Sequence, residues 1–68
     1  MDKWARKHRN GVRTEVVAHP RLTYTIRAVG PDGRNAQEQT RGTMADAQDR
    51  ADRLSECPQP CDCPEWEP

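Results

Sequence analysis

Residues 22–29, LTYTIRAV, decide the fold. Leu22, Tyr24, Ile26 and Ala28 alternate with Thr23, Thr25, Arg27 and Val29. Side chains of an extended chain point to opposite faces in turn, so one face of this segment is apolar and the other carries Thr, Thr and Arg. Its β-branched and aromatic residues favour the same conformation. GPDG at 30–33 follows as a turn, because proline presets φ at its second position and Gly33 accepts a positive φ. A hairpin is therefore expected, with residues 34–41 returning as the partner strand. That return segment has little strand propensity of its own. Pairing sets its register, with Ala36, Glu38 and Thr40 on one face and Gln37, Gln39 and Arg41 on the other.

Working outward, residues 12–18 repeat the pattern, with Val12, Thr14, Val16 and Ala18 facing one way and Arg13, Glu15 and Val17 the other. His19-Pro20 interrupts it, since proline lacks a ladder donor and restricts the residue before it. On the other side Gly42 breaks the chain. Thr43 is a good N-cap, and Asp46 three residues on favours the positive end of a helix dipole. A helix over 44–56 follows, with Met44, Ala47, Ala51 and Leu54 as a narrow apolar stripe. Pro58 ends it. The expected architecture is α+β: a three-stranded antiparallel sheet packed on one C-terminal α-helix. Three parts result, namely a flexible basic arm at 1–11, a βββα domain at 12–56 and a mobile Pro/Cys-rich acidic tail at 57–68.

The 68 residues, 32% of them hydrophobic and none of them Phe, allow one thin core. At about 25 cal/mol per Å² of buried apolar area against about 1.5 kcal/mol of entropy per ordered residue, such a chain sits near balance. Help from a partner, a second copy or a metal is expected. No apolar run is long enough to span a membrane, and the N-terminal residues are charged where a secretory signal needs its hydrophobic stretch. All three cysteines fall between positions 57 and 63, unlike a paired disulfide framework. A cytoplasmic protein with reduced thiols is expected.

The formal net charge of zero hides an asymmetry. Residues 1–34 carry eight Lys or Arg against three acids, a net of +5; residues 35–68 carry three against eight, a net of −5. Either an anionic partner meets the front half or the two halves meet each other. If the apolar alternation faces the helix, the opposite side of the sheet presents Arg13, Thr23, Thr25, Arg27, Gln37, Gln39 and Arg41, with Arg34 at a hairpin end. Arg and Gln read base edges bidentately in a major groove, Thr contacts a thymine methyl, and further cations neutralise phosphates. Any half-solvated antiparallel sheet also shows a polar face, so the two readings stand side by side.

The run TYTIRAVGPDGRNAQEQTRGTMADAQDRADRL, residues 23–54, resembles the N-terminal arm-binding domain of phage-type tyrosine recombinases. There a strand, a G-x-D-G-type turn, a strand, a Thr-capped start and an Ala-rich helix follow in that order. That domain in turn resembles the plant AP2 type of sheet reader. The resemblance extends over about residues 12–55 and implies three strands docked in a major groove, as in a small accessory or regulatory protein of a mobile element. Recombination chemistry is not carried over. The third strand lacks the usual aromatic or aliphatic anchor, and the helix is markedly acidic.

The arm adds Lys3, Arg6, Lys7 and Arg9, which suit a phosphate backbone, with Trp4 either stacking on a base or folding back over the core. Cys57, Cys61 and Cys63 offer three sulfurs to a metal that wants four ligands, with His8, His19, Asp62 or a second chain to complete the shell. An intermolecular disulfide and idle tail thiols are the alternatives. No nucleophile motif or Gly-rich phosphate loop occurs, and no enzymatic role or cofactor is expected, zinc being the one candidate. DNA is the expected partner, with a protein partner or homodimer as the alternative and no membrane contact.

Overall fold

The computed structural model describes residues 2–58 and 63–68. Its elements are β1 (Lys3–Lys7), β2 (Arg13–His19), β3 (Thr23–Val29), β4 (Asn35–Arg41) and α1 (Met44–Leu54). The strands form one antiparallel sheet in the order β1-β2-β3-β4, and α1 lies over β2, β3 and β4. The α+β class and the sheet-on-helix packing match expectation. The number of strands does not: the described residues form four, the additional one drawn from the segment expected to be a flexible arm.

β1 escapes a sequence reading because its core-facing positions are Trp4 and Arg6, paired with Val16 and Thr14 of β2. Only one of the two is apolar, so KWARK shows no clean alternation. Asn10 and Gly11 close the hairpin between β1 and β2. Gly11 takes φ 89° and donates to the His8 carbonyl at 3.0 Å.

The hairpin from β2 to β3 turns through Pro20, Arg21 and Leu22, the latter two at φ 66° and 56°. Leu22 was expected on the inner face of the strand. It sits instead in the turn with 65% of its surface exposed, because closing the hairpin needs its left-handed backbone. The GPDG turn between β3 and β4 forms as expected, the Gly33 N–H donating to the Gly30 carbonyl at 3.2 Å. β4 takes the expected register, with Gln37, Gln39 and Arg41 opposite Arg27, Thr25 and Thr23.

Thr43 caps α1. Its hydroxyl accepts from the Asp46 N–H at 3.2 Å, and the Asp46 carboxylate accepts from the Thr43 N–H at 3.1 Å, a reciprocal capping box. These contacts, the backbone N–H first, hold the Asp46 carboxyl below the ordinary aspartate range. The core is Val16, Tyr24 and Ile26 against Ala47 and Ala51, with Ala18, Met44, Leu54 and Trp66 at its rim. Alanines on the helix stripe let α1 approach the sheet closely.

Arginine–carboxylate clips supplement this small core at its edges. Arg50 of α1 makes two bonds to Glu38 of β4, at 2.8 and 3.0 Å, and Arg34 bonds Glu56 at 2.6 Å. Arg6 of β1 bonds both carboxylate oxygens of Asp52 at 3.0 Å. Arg6 also gathers the tail, donating to the Cys63 carbonyl at 2.9 Å and the Pro64 carbonyl at 2.8 Å, with its guanidinium 5.9 Å from the Trp66 ring centre. Glu67 then bridges Ala5 through two backbone bonds of 2.8 and 2.9 Å, adding a partner at the outer edge of β1. The described tail residues are therefore fixed to the sheet and the helix. Among the described residues no helix is long and apolar enough to cross a membrane.

Candidate functional site: the open sheet face and a buried sulfur–imidazole cluster

Pairing across four strands arranges the outer face in rows. One row is Lys7, Arg13, Val29 and Asn35; the next is Ala5, Glu15, Arg27 and Gln37. Lys3, Val17, Thr25 and Gln39 form the third, and His19, Thr23 and Arg41 the last. α1 packs on the other side, so among the described residues no helix covers this face. Thr25 is half-buried among its strand neighbours and Arg27 is exposed.

The face carries Lys3, Lys7, Arg13, Arg27 and Arg41 against Glu15 and Glu67, a side-chain net of +3. Glu15 lies between two of the cations, 3.5 Å from Lys3 and 3.6 Å from Arg13. Glu15, Val17, His19, Thr25, Arg27 and Gln37 line a shallow depression of about 230 Å³ at the middle of the sheet. His19 Nε2 and the Thr25 hydroxyl, 2.8 Å apart, form part of its wall. Sequence reading placed His19 in a turn; its shared parity with Val17 was the signal that it belongs to this face.

Of the residues expected to meet nucleic acid, Lys3, Lys7, Arg13, Thr23, Thr25, Arg27, Gln37, Gln39 and Arg41 come together here. Arg6 and Arg34 do not. Both lie on the helix side, where Asp52 and Glu56 engage them. Arg9 is exposed in the hairpin between β1 and β2, its backbone N–H donating to Cys63 Sγ at 3.3 Å. Trp4 is half-buried on the helix side, sharing a depression with Gln48 and Trp66. The front and back halves of the chain thus meet each other through Arg6 and Arg34, while the remaining strand cations face outward.

A second cluster lies at the opposite side, where the turn after β1, the end of α1 and the returning tail meet. His8, Cys57 and Cys63 are all buried, and one ligand atom from each lies within 4.8 Å of the others. The two sulfurs are 3.4 Å apart. The Thr14 hydroxyl, itself fully buried, lies 2.8 Å from His8 Nε2 and 3.4 Å from the Arg6 carbonyl. Burial, ahead of the opposing attraction of Asp52, holds the His8 pKa below its ordinary 6.5. Cys61 and Asp62, two of the sequence candidates for the same shell, lie outside the described residues. His19 is on the outer face of the sheet and does not join the cluster.

No family model, curated protein or solved structure matches the chain.

Proposed function

We propose that the chain is a small accessory or regulatory DNA-binding protein that docks the outer face of its sheet on a duplex. The observation that carries this reading is the segregation of charge: five strand cations and a set of Thr and Gln side chains share the open face, while Asp46, Asp49, Asp52 and Glu56 belong to the helix side. An anion approaching the sheet meets the cations first, and the acids behind orient the molecule.

Dimensions suit the same contact. Strands are about 4.8 Å apart, so β2 to β4 span about 10 Å, comparable to a major groove of about 12 Å. Arg27, Gln37 and Gln39 at the centre then face base edges, and Lys3 and Lys7 on β1 lie over the flanking phosphates. The order of elements along 23–54, which resembles the recombinase arm-binding domain, supports this reading. No catalytic role is proposed.

Titration with duplex DNA at two salt concentrations tests the proposal. Four phosphate contacts, from Lys3, Lys7, Arg13 and Arg41, give a slope near −3.6 in log K against log salt, or about 150-fold weaker binding on going from about 50 to about 200 mM salt. No binding at the lower salt would remove the proposal.

One observation favours a second reading, a protein-interaction module or homodimer. The Gly42 N–H donates to the Leu22 carbonyl and the Gly30 N–H to the Arg34 carbonyl. The alternation of an antiparallel ladder then turns the backbone groups of Asn35, Gln37, Gln39 and Arg41 outward along the edge of β4. Such an edge accepts an added strand. Light scattering that gives a dimer, with DNA binding absent, would favour this reading over the first.

A further inference from the structure

We propose that His8, Cys57 and Cys63 form a zinc-binding site that ties the first hairpin, the end of the helix and the returning tail into one unit. Tetrahedral zinc with bonds of about 2.3 Å to sulfur and about 2.0 Å to nitrogen sets its ligand atoms about 3.5–3.8 Å apart. The two sulfurs at 3.4 Å, and the imidazole within 4.8 Å of both, are already arranged at that scale. Two thiolates and an imidazole are the donor set zinc prefers, and two negative charges neutralise the dication.

The surroundings are those of ligands rather than of packing residues. The Thr14 hydroxyl donates to the Arg6 carbonyl and so accepts from His8 Nε2–H. In that tautomer Nδ1 carries the lone pair available for coordination, an arrangement in which a bonded outer group orients the ligating imidazole. The backbone N–H of Arg9 donates to Cys63 Sγ at 3.3 Å, a contact that stabilises thiolate. Binding releases the two thiol protons to solvent and leaves the metal bound to two thiolates and a neutral imidazole. Among the described residues, these three supply the ligand atoms.

The physical need is equally plain. Residues 8, 57 and 63 belong to three separated segments, and the apolar cluster of Val16, Tyr24, Ile26, Ala47 and Ala51 does not include them. A metal there supplies the cross-link that a chain this small requires. The inference does not depend on DNA binding.

Metal content of the full chain, purified under reducing conditions without chelator, tests the site, followed by cobalt titration of the stripped protein. One zinc per chain is expected. Cobalt should produce the visible bands of a tetrahedral site with a sulfur charge-transfer band, bleached by zinc. His8→Ala, Cys57→Ser and Cys63→Ser should each weaken zinc at least about 100-fold, and Thr14→Val, which keeps the buried volume, about 10–100-fold. Should a ligand variant fail to fold, the wild-type cobalt spectrum still decides. Substoichiometric zinc, a featureless cobalt spectrum or undiminished affinity in His8→Ala would overturn the assignment.

Discussion

Replacing Arg6 by Ala removes the group that joins three parts of the molecule. The side chain is 11% exposed and its partner Asp52 18%, so the pair is largely withdrawn from water. Its loss leaves a carboxylate in that setting, together with the carbonyls of Cys63 and Pro64, and separates the guanidinium from the face of Trp66. Breaking a buried pair costs about 3–5 kcal/mol, and the lower end applies here because water reaches the vacated edge. A domain of this size has about 3–10 kcal/mol in total, so about 3 kcal/mol is a large share. At about 4–8 °C per kcal/mol the midpoint should fall by about 12–24 °C. Far-ultraviolet circular dichroism during urea and thermal unfolding measures both. Arg53→Ala is the control, since its i,i+4 pair with Asp49 has both side chains about two-thirds exposed and contributes less than about 0.5 kcal/mol. Arg6→Lys should recover little, because an ammonium cannot hold a carboxylate and two carbonyls in one plane. An Arg6→Ala variant as stable as Arg53→Ala would refute the reasoning.

Other expectations follow from the same contacts. Arg27→Ala should weaken duplex DNA by about 1–3 kcal/mol with little change in the melting curve, read by fluorescence anisotropy beside calorimetry. Glu67→Gln, which removes an acid from the rim of the cationic face, should tighten DNA binding about twofold at low salt, an effect of about 0.5 kcal/mol. Thr43→Ala should cost about 1 kcal/mol through loss of the helix cap, measured by urea unfolding. Asp46, held below 3.8 chiefly by the Thr43 N–H, and Glu38, held below 4.5 chiefly by Arg50, both favour the folded state when ionised. Their contribution is intact above those ordinary values and lost as pH falls through the lower folded ones, so stability should decline in acid below about pH 4.5. Glu38→Gln should flatten the upper part of that decline.

Strands β2 and β3, the GPDG turn and the capped helix were legible because each is written locally, as alternation, turn chemistry or a cap. β1 was not. Its inward Arg6 makes sense only beside Asp52, Cys63 and Pro64, partners 46 to 58 residues away. Leu22 misled for the opposite reason: it continues the apolar alternation of β3, but the hairpin claims its backbone for the turn. The outer face was legible once β3 was assigned, since parity carries Thr25 and Arg27 with it to Gln39 and Gln37. Arg34 and Glu56 showed only the global charge asymmetry, not their pairing. The cysteines announced a donor set, yet nothing local distinguished His8 from His19 as their companion; the fold decides, by placing the first hairpin beside the end of α1.

Contact between the outer face of the sheet and DNA is read most directly from amide chemical shifts of the full chain titrated with a short duplex. Perturbations should concentrate at Arg13, Thr23, Thr25, Arg27, Gln37 and Gln39 and spare Asp46 to Arg53. Perturbations centred on the helix, or none at low salt, would contradict it.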